Sequence, residues 1–250
     1  ASARQMGCDV TIVEPASVPL ERVLGPEVGQ VYLKLHQDNG VRVLTGTGVE
    51  EFEGSDSVSA VRTSGGERLE CDLVVVGIGV LPRVELAAAA GLAIEDGVAV
   101  DAHLRTSAPD VFAAGDIASA EHPRYPGRVR VEHWANALNQ GPAAARSMLG
   151  SGEPYARLPY FFSDQFDLGM EYTGLAREWD EVVFRGDVEA REFIAFWLSA
   201  GRVVAGMNAN VWDVTDDIKA LIESDRQVDV RRLADPEVPL QALTADDPPG

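Results

Sequence analysis

The sequence predicts an α/β protein that ends in an α+β domain built on an antiparallel sheet. Three observations carry that prediction. Short apolar runs such as TIVEP (11–15), LVVVG (73–77) and VFAAGD (111–116) stop at Pro, Gly or a carboxylate, as strands of a parallel sheet do. Segments of helical period lie between and after them, at 26–39 and 134–148. Beyond a GSGEP linker at 150–154 the aromatic residues crowd together in strand-like runs.

Each element follows from local chemistry. ASARQMG reads as the last turns of a helix closed by Gly7, and CDVTIVEP as a buried strand ending in Glu14 and stopped by Pro15. A helix is expected from Pro26 to about Asn39, because Val28, Val31, Tyr32 and Leu35 recur at i, i+3, i+4 and i+7, with Pro at its start and Gly40 beyond its end. The period then changes: VRVL (41–44), GVEEF (48–52), VSAVRT (58–63) and ERLECDLVVVG (67–77) read as a meander of strands, the last two joined by an SGG turn at 64–66. A short Ala-rich helix (85–90), strands at VAVD (98–101) and VFAAGD, a loop rich in Pro and Arg, and a helix from Trp134 to Met148 follow. In the last domain YFFSDQFDLG, EVVFRG, EFIAFWL and NANVWD suggest an antiparallel sheet, with a helix over 213–224 and a disordered tail at 244–250.

Composition narrows the function. With 250 residues, 46% of them apolar and 7% aromatic, the chain has enough to build one large core or two small ones. The balance of 21 basic against 40 acidic residues, a formal charge of −19, repels phosphate backbones and anionic lipid, so neither nucleic acid nor membrane is an expected partner. The longest apolar stretch, LVVVGIGVL (73–81), is too short to span a bilayer, and residues 1–20 lack the pattern of a signal peptide, which leads us to expect a soluble, cytoplasmic protein. Cys8 and Cys71 form neither a CxxC pair nor a zinc-type cluster, so redox chemistry would require a bound cofactor, and no metal ligands are assigned.

Several residues are candidates for binding. Glu14, at the end of a strand, is placed to accept hydrogen bonds from the ribose hydroxyls of a dinucleotide and to repel a 2′-phosphate, favouring NADH; alternatively it faces solvent. TSAPDVFAAGD (106–116) ends in small residues that let a ligand approach the backbone, with Asp116 free to bind a sugar-like hydroxyl or to cap a helix. In VGIGVLP (76–82), Gly77 and Gly79 either let a nicotinamide lie against backbone or simply form a strand exit.

The TSAPDVFAAGD motif resembles the second FAD-binding motif of the glutathione-reductase-fold flavoproteins. VEHWANALNQG (131–141), FFSDQFD (161–167) and the C-terminal sheet look more closely like the ferredoxin, putidaredoxin and rubredoxin reductases that feed oxygenases and P450s. The likeness covers nearly the whole chain. It implies partial Rossmann-like FAD- and NAD(P)-binding domains, with residues 1–81 as the end of the NAD-binding domain, 82–150 as the returning segment of the FAD-binding domain and 151–243 as the C-terminal reductase domain. For FAD it implies Asp116 on the ribityl chain together with Gly115 and Ile117, and Glu132, His133, Trp134 and Ala135 beside the isoalloxazine; for NAD it implies Glu14, Gly77, Ile78 and Gly79. The helix beginning near Trp134 would point its N-terminus at the flavin edge where negative charge collects on reduction. His133 reads equally well as a hydrogen-bonded structural residue, Trp134 as core packing, and Phe161 and Phe162 as core residues of the last domain, although relatives bring an aromatic here near the flavin.

The resemblance implies a flavoprotein oxidoreductase that takes a hydride from NADH onto FAD and passes electrons singly to a ferredoxin-type iron–sulfur protein (2Fe–2S) serving an oxygenase or P450. The flavin does the chemistry, so no catalytic side chain is assigned. Alternatives are an NADH oxidase or small-molecule reductase of the same fold, or a redox-sensing flavoprotein of the apoptosis-inducing-factor type. A Gly-rich loop is expected about 20 residues before Glu14. Its position upstream of Ala1 leads us to expect that the chain corresponds to roughly the last three-fifths of such an enzyme and is inactive alone. The acidic balance sits awkwardly with an acidic ferredoxin; Arg124, Arg128 and Arg130 either offset it locally or form a solvated loop.

Overall fold

The computed structural model describes residues 1–150 and 152–244. The expected disordered tail therefore falls almost wholly outside the described residues, as does Ser151 of the linker.

The chain opens with a helical turn, α1 (Ser2–Gln5), ended by Gly7 at φ 91°, and enters β1 (Thr11–Glu14). Helix α2 (Glu21–Asp38) bends at Gly25, whose φ of 79° and ψ of 169° are not helical, so the regular helix restarts at Pro26 as the sequence predicts, with one extra turn before it. The apolar face is the expected one: Val28, Tyr32 and Leu35 are buried and Val31 partly so. Strand β2 (Arg42–Thr45) pairs in parallel with β1, completing a β–α–β unit instead of joining the following meander. That meander is β3 (Val49–Glu53), β4 (Ala60–Thr63) and β5 (Arg68–Glu70), turned at the SGG segment by Gly66, whose N–H donates to Thr63 O.

Two expectations about strands are corrected here. ERLECDLVVVG is a strand only as far as Glu70; residues 71–84 are irregular, and Leu73, Val75, Ile78 and Leu81 are 77–89% exposed. A strand exists by pairing, and among the described residues this run pairs with no other strand. VFAAGD is likewise not a strand. Val111–Ala114 is extended and held by turn bonds, with Phe112 bridging Arg105, and Gly115–Ile117 forms a 3₁₀ turn. The parallel strand comes after Asp116, not before it.

After α3 (Glu85–Ala89), strand β6 (Val98–Val100) pairs in parallel with β7 (Ala118–Glu121), which pairs antiparallel with β8 (Arg128–Val129). Helix α4 (Trp134–Met148) packs Ala143 and Ala144 on this small sheet. The last domain is a five-stranded antiparallel sheet of β9 (Tyr160–Gln165), β10 (Leu168–Gly174), β11 (Glu181–Asp187), β12 (Glu192–Ser199) and β13 (Arg202–Ala209), in the order β11-β12-β13-β10-β9. NANVWD contributes only its first two residues to β13, and Trp212 is 54% exposed in the loop that follows. Helices α5 (Thr215–Ser224) and α6 (Val230–Ala234) cover one face.

The other face of this sheet is covered by α2. Phe193, Ala195 and Trp197 pack with Leu24, Val28, Tyr32 and Leu35, while Ile194, Phe196 and Leu198 point to α5 and α6. Burial on both faces explains why EFIAFWLS is apolar throughout rather than alternating. Trp197 Nε1–H donates to Leu24 O at 3.2 Å, where the bend at Gly25 has released a carbonyl from the helical ladder. No helix among the described residues is long and apolar enough to cross a membrane.

Candidate functional site

The N-terminus of α4 gathers most of the residues predicted to hold FAD. His133 is the N-cap residue, with φ −107° and ψ 136°, and no side chain caps this helix end. The first-turn N–H groups of a helix have no intrahelical acceptor, so Trp134 and Ala135 present free donors beside the positive end of the macrodipole. Trp134 itself is 70% exposed, which removes the core-packing reading for it.

Gly115 is fixed against this helix. Its N–H donates to Gln140 Oε1 at 2.8 Å in a buried contact, its φ is 79°, and a Cβ there would stand 3.4 Å from the Cβ of Ala137. The backbone is thereby turned so that Asp116 faces outward, exposed, its carboxylate making no hydrogen bond or ion pair among the described residues. It caps no helix: the 3₁₀ turn containing it starts from Ala114. Ile117 is half-buried against the β6–β7 core, and its carbonyl lies where a Cβ on Gly97 would collide at 2.5 Å.

Charged neighbours order the rim. Arg130 pairs with Glu132 and with Asp96 at 3.3 Å and donates to Asp116 O at 3.3 Å. The His133 ring lies on Phe161 with centroids 4.8 Å apart, Phe161 stacks on Tyr172 at 4.9 Å, and Tyr172 meets Trp197 at 5.2 Å. Burial holds the His133 imidazole below its usual range, while the Asp116 and Glu132 carboxylates pull the other way. Among the described residues the buried Nδ1 of His133 has no hydrogen-bond partner, which counts against the hydrogen-bonded structural reading. Phe161 is partly buried as expected; Phe162, predicted as core, is 55% exposed because it lies on the other face of the edge strand β9.

The NAD set is dispersed. Glu14 ends the parallel pair β1–β2, half-buried, with Oε1 accepting from Ala16 N at 2.9 Å and its carbonyl from Thr47 N at 3.1 Å. This tight turn leaves Oε2 available. Gly77, Ile78 and Gly79 lie on the unpaired run; Ile78 is 89% exposed, and no other group lies within 4 Å of where a Cβ would stand on either glycine.

Two residues that the sequence reading missed matter here. Gln140 anchors Gly115, and Asn136 ties the loop to the helix by donating to Val131 O at 3.1 Å and accepting from Tyr155 OH at 3.1 Å. Their signal is two buried amides four apart on one helix face among small residues. The arginines of the preceding loop are not a free basic island: Arg124 is exposed, Arg128 and Arg130 are partly buried, and all three are tied to the protein. Arg124 donates to Ile222 O and Glu223 O at the end of α5, and Arg128 pairs with Glu121 at 3.0 Å and Glu95 at 3.3 Å. A cavity of about 520 Å³ lies behind α4, where Glu171 accepts from Tyr160 OH at 2.6 Å, Asn208 at 3.0 Å and Thr215 at 3.1 Å. Burial works against that carboxylate, but these donors hold it below its usual range.

The site as built offers free backbone donors at a helix start, a close-approach glycine and an outward carboxylate. That set suits a ligand with an anionic ring edge and neighbouring hydroxyls. Residues 1–141 match the pyridine nucleotide-disulphide oxidoreductase family and residues 160–244 the reductase C-terminal family. The chain is 38% identical to the anthranilate 1,2-dioxygenase system ferredoxin–NAD(+) reductase component of Burkholderia cepacia, over 97% of this chain and 60% of that protein. It is 36% identical to putidaredoxin reductase CamA of Pseudomonas putida, over 98% of this chain and 59% of that one. A crystal structure of a ferredoxin reductase from Rhodopseudomonas palustris superposes with a TM-score of 0.92 at 37% identity, over 98% of this chain and 61% of that one. The covalent putidaredoxin reductase–putidaredoxin complex superposes with a TM-score of 0.88 at 35% identity, over 95% and 58%. The chain thus spans about three-fifths of the length of the curated relatives it matches. By its sequence, its fold and its architecture, the chain belongs to the pyridine nucleotide-disulphide oxidoreductase family.

Proposed function

We propose that this chain forms part of an NADH-dependent, FAD-containing reductase that delivers electrons to a ferredoxin-type iron–sulfur protein of an oxygenase or P450 system, in the cytoplasm. The observation that carries the reading is the uncapped N-terminus of α4, set beside Gly115 and the unengaged Asp116 carboxylate. FAD, when bound, accepts the hydride and releases electrons one at a time. Asp116 holds the ribityl hydroxyls, and Gly115 and Ile117 let the chain of the cofactor lie against backbone. The Trp134 and Ala135 N–H groups and the α4 dipole steady negative charge at the ring edge. Exposed Trp134 covers the ring and excludes water, with Glu132 held by Arg130 near the nicotinamide. Glu14 selects NADH by accepting from its ribose and repelling a 2′-phosphate, and Gly77, Ile78 and Gly79 give the nicotinamide a surface free of obstructing side chains.

The test uses protein expressed from the complete reading frame. NADH-driven reduction of cytochrome c that requires added ferredoxin supports the proposal. Fast turnover with oxygen or quinone and no need for ferredoxin contradicts it.

A further inference from the structure

We propose that His133 is a redox-linked proton-binding group: its imidazole takes up one proton when the cofactor at the start of α4 gains two electrons, and releases it when they leave. The inference rests on the reading that α4 presents its N-terminus to FAD.

The geometry of His133 is poorly suited to a purely structural histidine. Its ring lies on Phe161 at a centroid distance of 4.8 Å, in a run of rings that continues through Tyr172 to Trp197. Nδ1 is buried without a hydrogen-bond partner, and neither ring nitrogen is hydrogen-bonded to the described residues. A histidine kept for packing generally has one ring nitrogen fixed by a carbonyl or carboxylate.

The charges around the ring oppose one another. From the 3₁₀ turn Asp116 favours the cation, and from the loop before α4 so does Glu132, partly offset by its ion pair with Arg130, which also pairs with Asp96. From the sheet side Tyr172 stays neutral, its hydroxyl pushed up to about 12 by burial. Against the cation stand burial of the ring and the positive end of α4, on whose N-cap His133 sits. Burial prevails over the two carboxylates and holds the imidazole below its usual range while the cofactor is oxidised. Negative charge arriving at the same helix end reverses the balance. The electron count closes simply: a hydride from NADH brings two electrons and one hydrogen nucleus, and the proton on His133 comes from solvent. Both it and the hydrogen nucleus delivered with the hydride leave to solvent as protons while the electrons pass singly to the iron–sulfur acceptor.

The consequence is a potential that depends on pH beyond what the flavin itself imposes. The FAD-loaded protein from the complete reading frame is titrated to its midpoint potential from about pH 5.5 to 8.5, alongside His133→Asn and His133→Phe. In the unaltered protein one stretch of the profile is steeper by one proton per two electrons, a tenfold change in the reduction equilibrium per pH unit, or about 30 mV. Both variants lose that extra slope. A second measurement needs no substitution: the His133 imidazole resonances, followed by NMR, titrate at higher pH in the reduced protein than in the oxidised one. Coincident slopes in all three proteins, or one titration midpoint in both redox states, overturn the proposal while the protein still carries FAD. Protein that holds no FAD overturns the functional reading and this inference with it.

Discussion

EFIAFWLS (192–199) and LVVVGIGVL (73–81) are two of the most apolar runs in the chain, and they meet opposite fates. Phe193 to Leu198 are 0–4% exposed in β12, whereas Leu73, Val75, Ile78 and Leu81 are 77–89% exposed. The difference is not composition. β12 lies between β11 and β13, with α2 over one face and α5 and α6 over the other, while the second run has no strand beside it among the described residues. An apolar run states that a segment is fit for burial on both faces; whether it is buried depends on a partner remote in sequence.

Mutations sharpen that contrast. Trp197→Ala removes the side chain that joins α2 to the sheet and is expected to cost about 3–5 kcal/mol, whereas Val75→Ala is expected to change stability by no more than about 0.5 kcal/mol. Urea unfolding measures both, and equal losses would show that the 73–81 run is packed in solution. Arg185 comes next. It is 9% exposed and donates to the carbonyls of Leu233, Asp235, Pro236 and Val238, fastening α6 and the chain after it. Arg185→Met leaves these acceptors to find water and is expected to cost about 2–3 kcal/mol, with proteolysis beginning near 233–238.

The smallest effect concerns pH. Burial holds His36, whose Nε2 meets Gln165 Oε1 at 3.0 Å, below its usual range, as it does His133. The unfolded chain binds these protons near pH 6.5, before the folded chain does. Their contribution to stability is thus present above that pH and declines as pH falls through it. Thermal midpoints at pH 7.5, 6.5 and 5.5 should fall, and His36→Gln should flatten the decline. An unchanged slope would mean that His36 titrates alike in both states.

The sequence made local features legible and pairing illegible. The faces of α2, the span of α4 and the SGG turn depend on residues within a few positions, and each appears where the period and the punctuating Gly or Pro place it. The strand beside Asp116 was expected ahead of it because VFAAGD is apolar and ends at a carboxylate, yet ASAE, with two small residues and a Ser, makes the parallel ladder with β6. Small side chains give little apolar signal, although they are what lets α4 lie close. Around the candidate site, the motif residues Gly115, Asp116 and Glu132 to Ala135, named from the sequence, lie together at the start of α4. The anchors Gln140 and Asn136 were not, because a buried amide is recognised only by the backbone group it satisfies. The partners of Arg124, Arg128 and Arg130 were hidden for the same reason: they lie on α5, β6 and β7 and in the turns between strands.

The most direct test of the account is FAD retention by protein from the complete reading frame, unaltered and with Asp116→Ala, judged by the absorbance of the purified protein and by titration with added FAD. We expect the unaltered protein to be yellow and the variant to hold FAD at least tenfold more weakly while unfolding at the same urea concentration. Equal FAD affinity in the two, or an unaltered protein that stays colourless after reconstitution, would contradict the assignment of Asp116 and the α4 N-terminus as the flavin site.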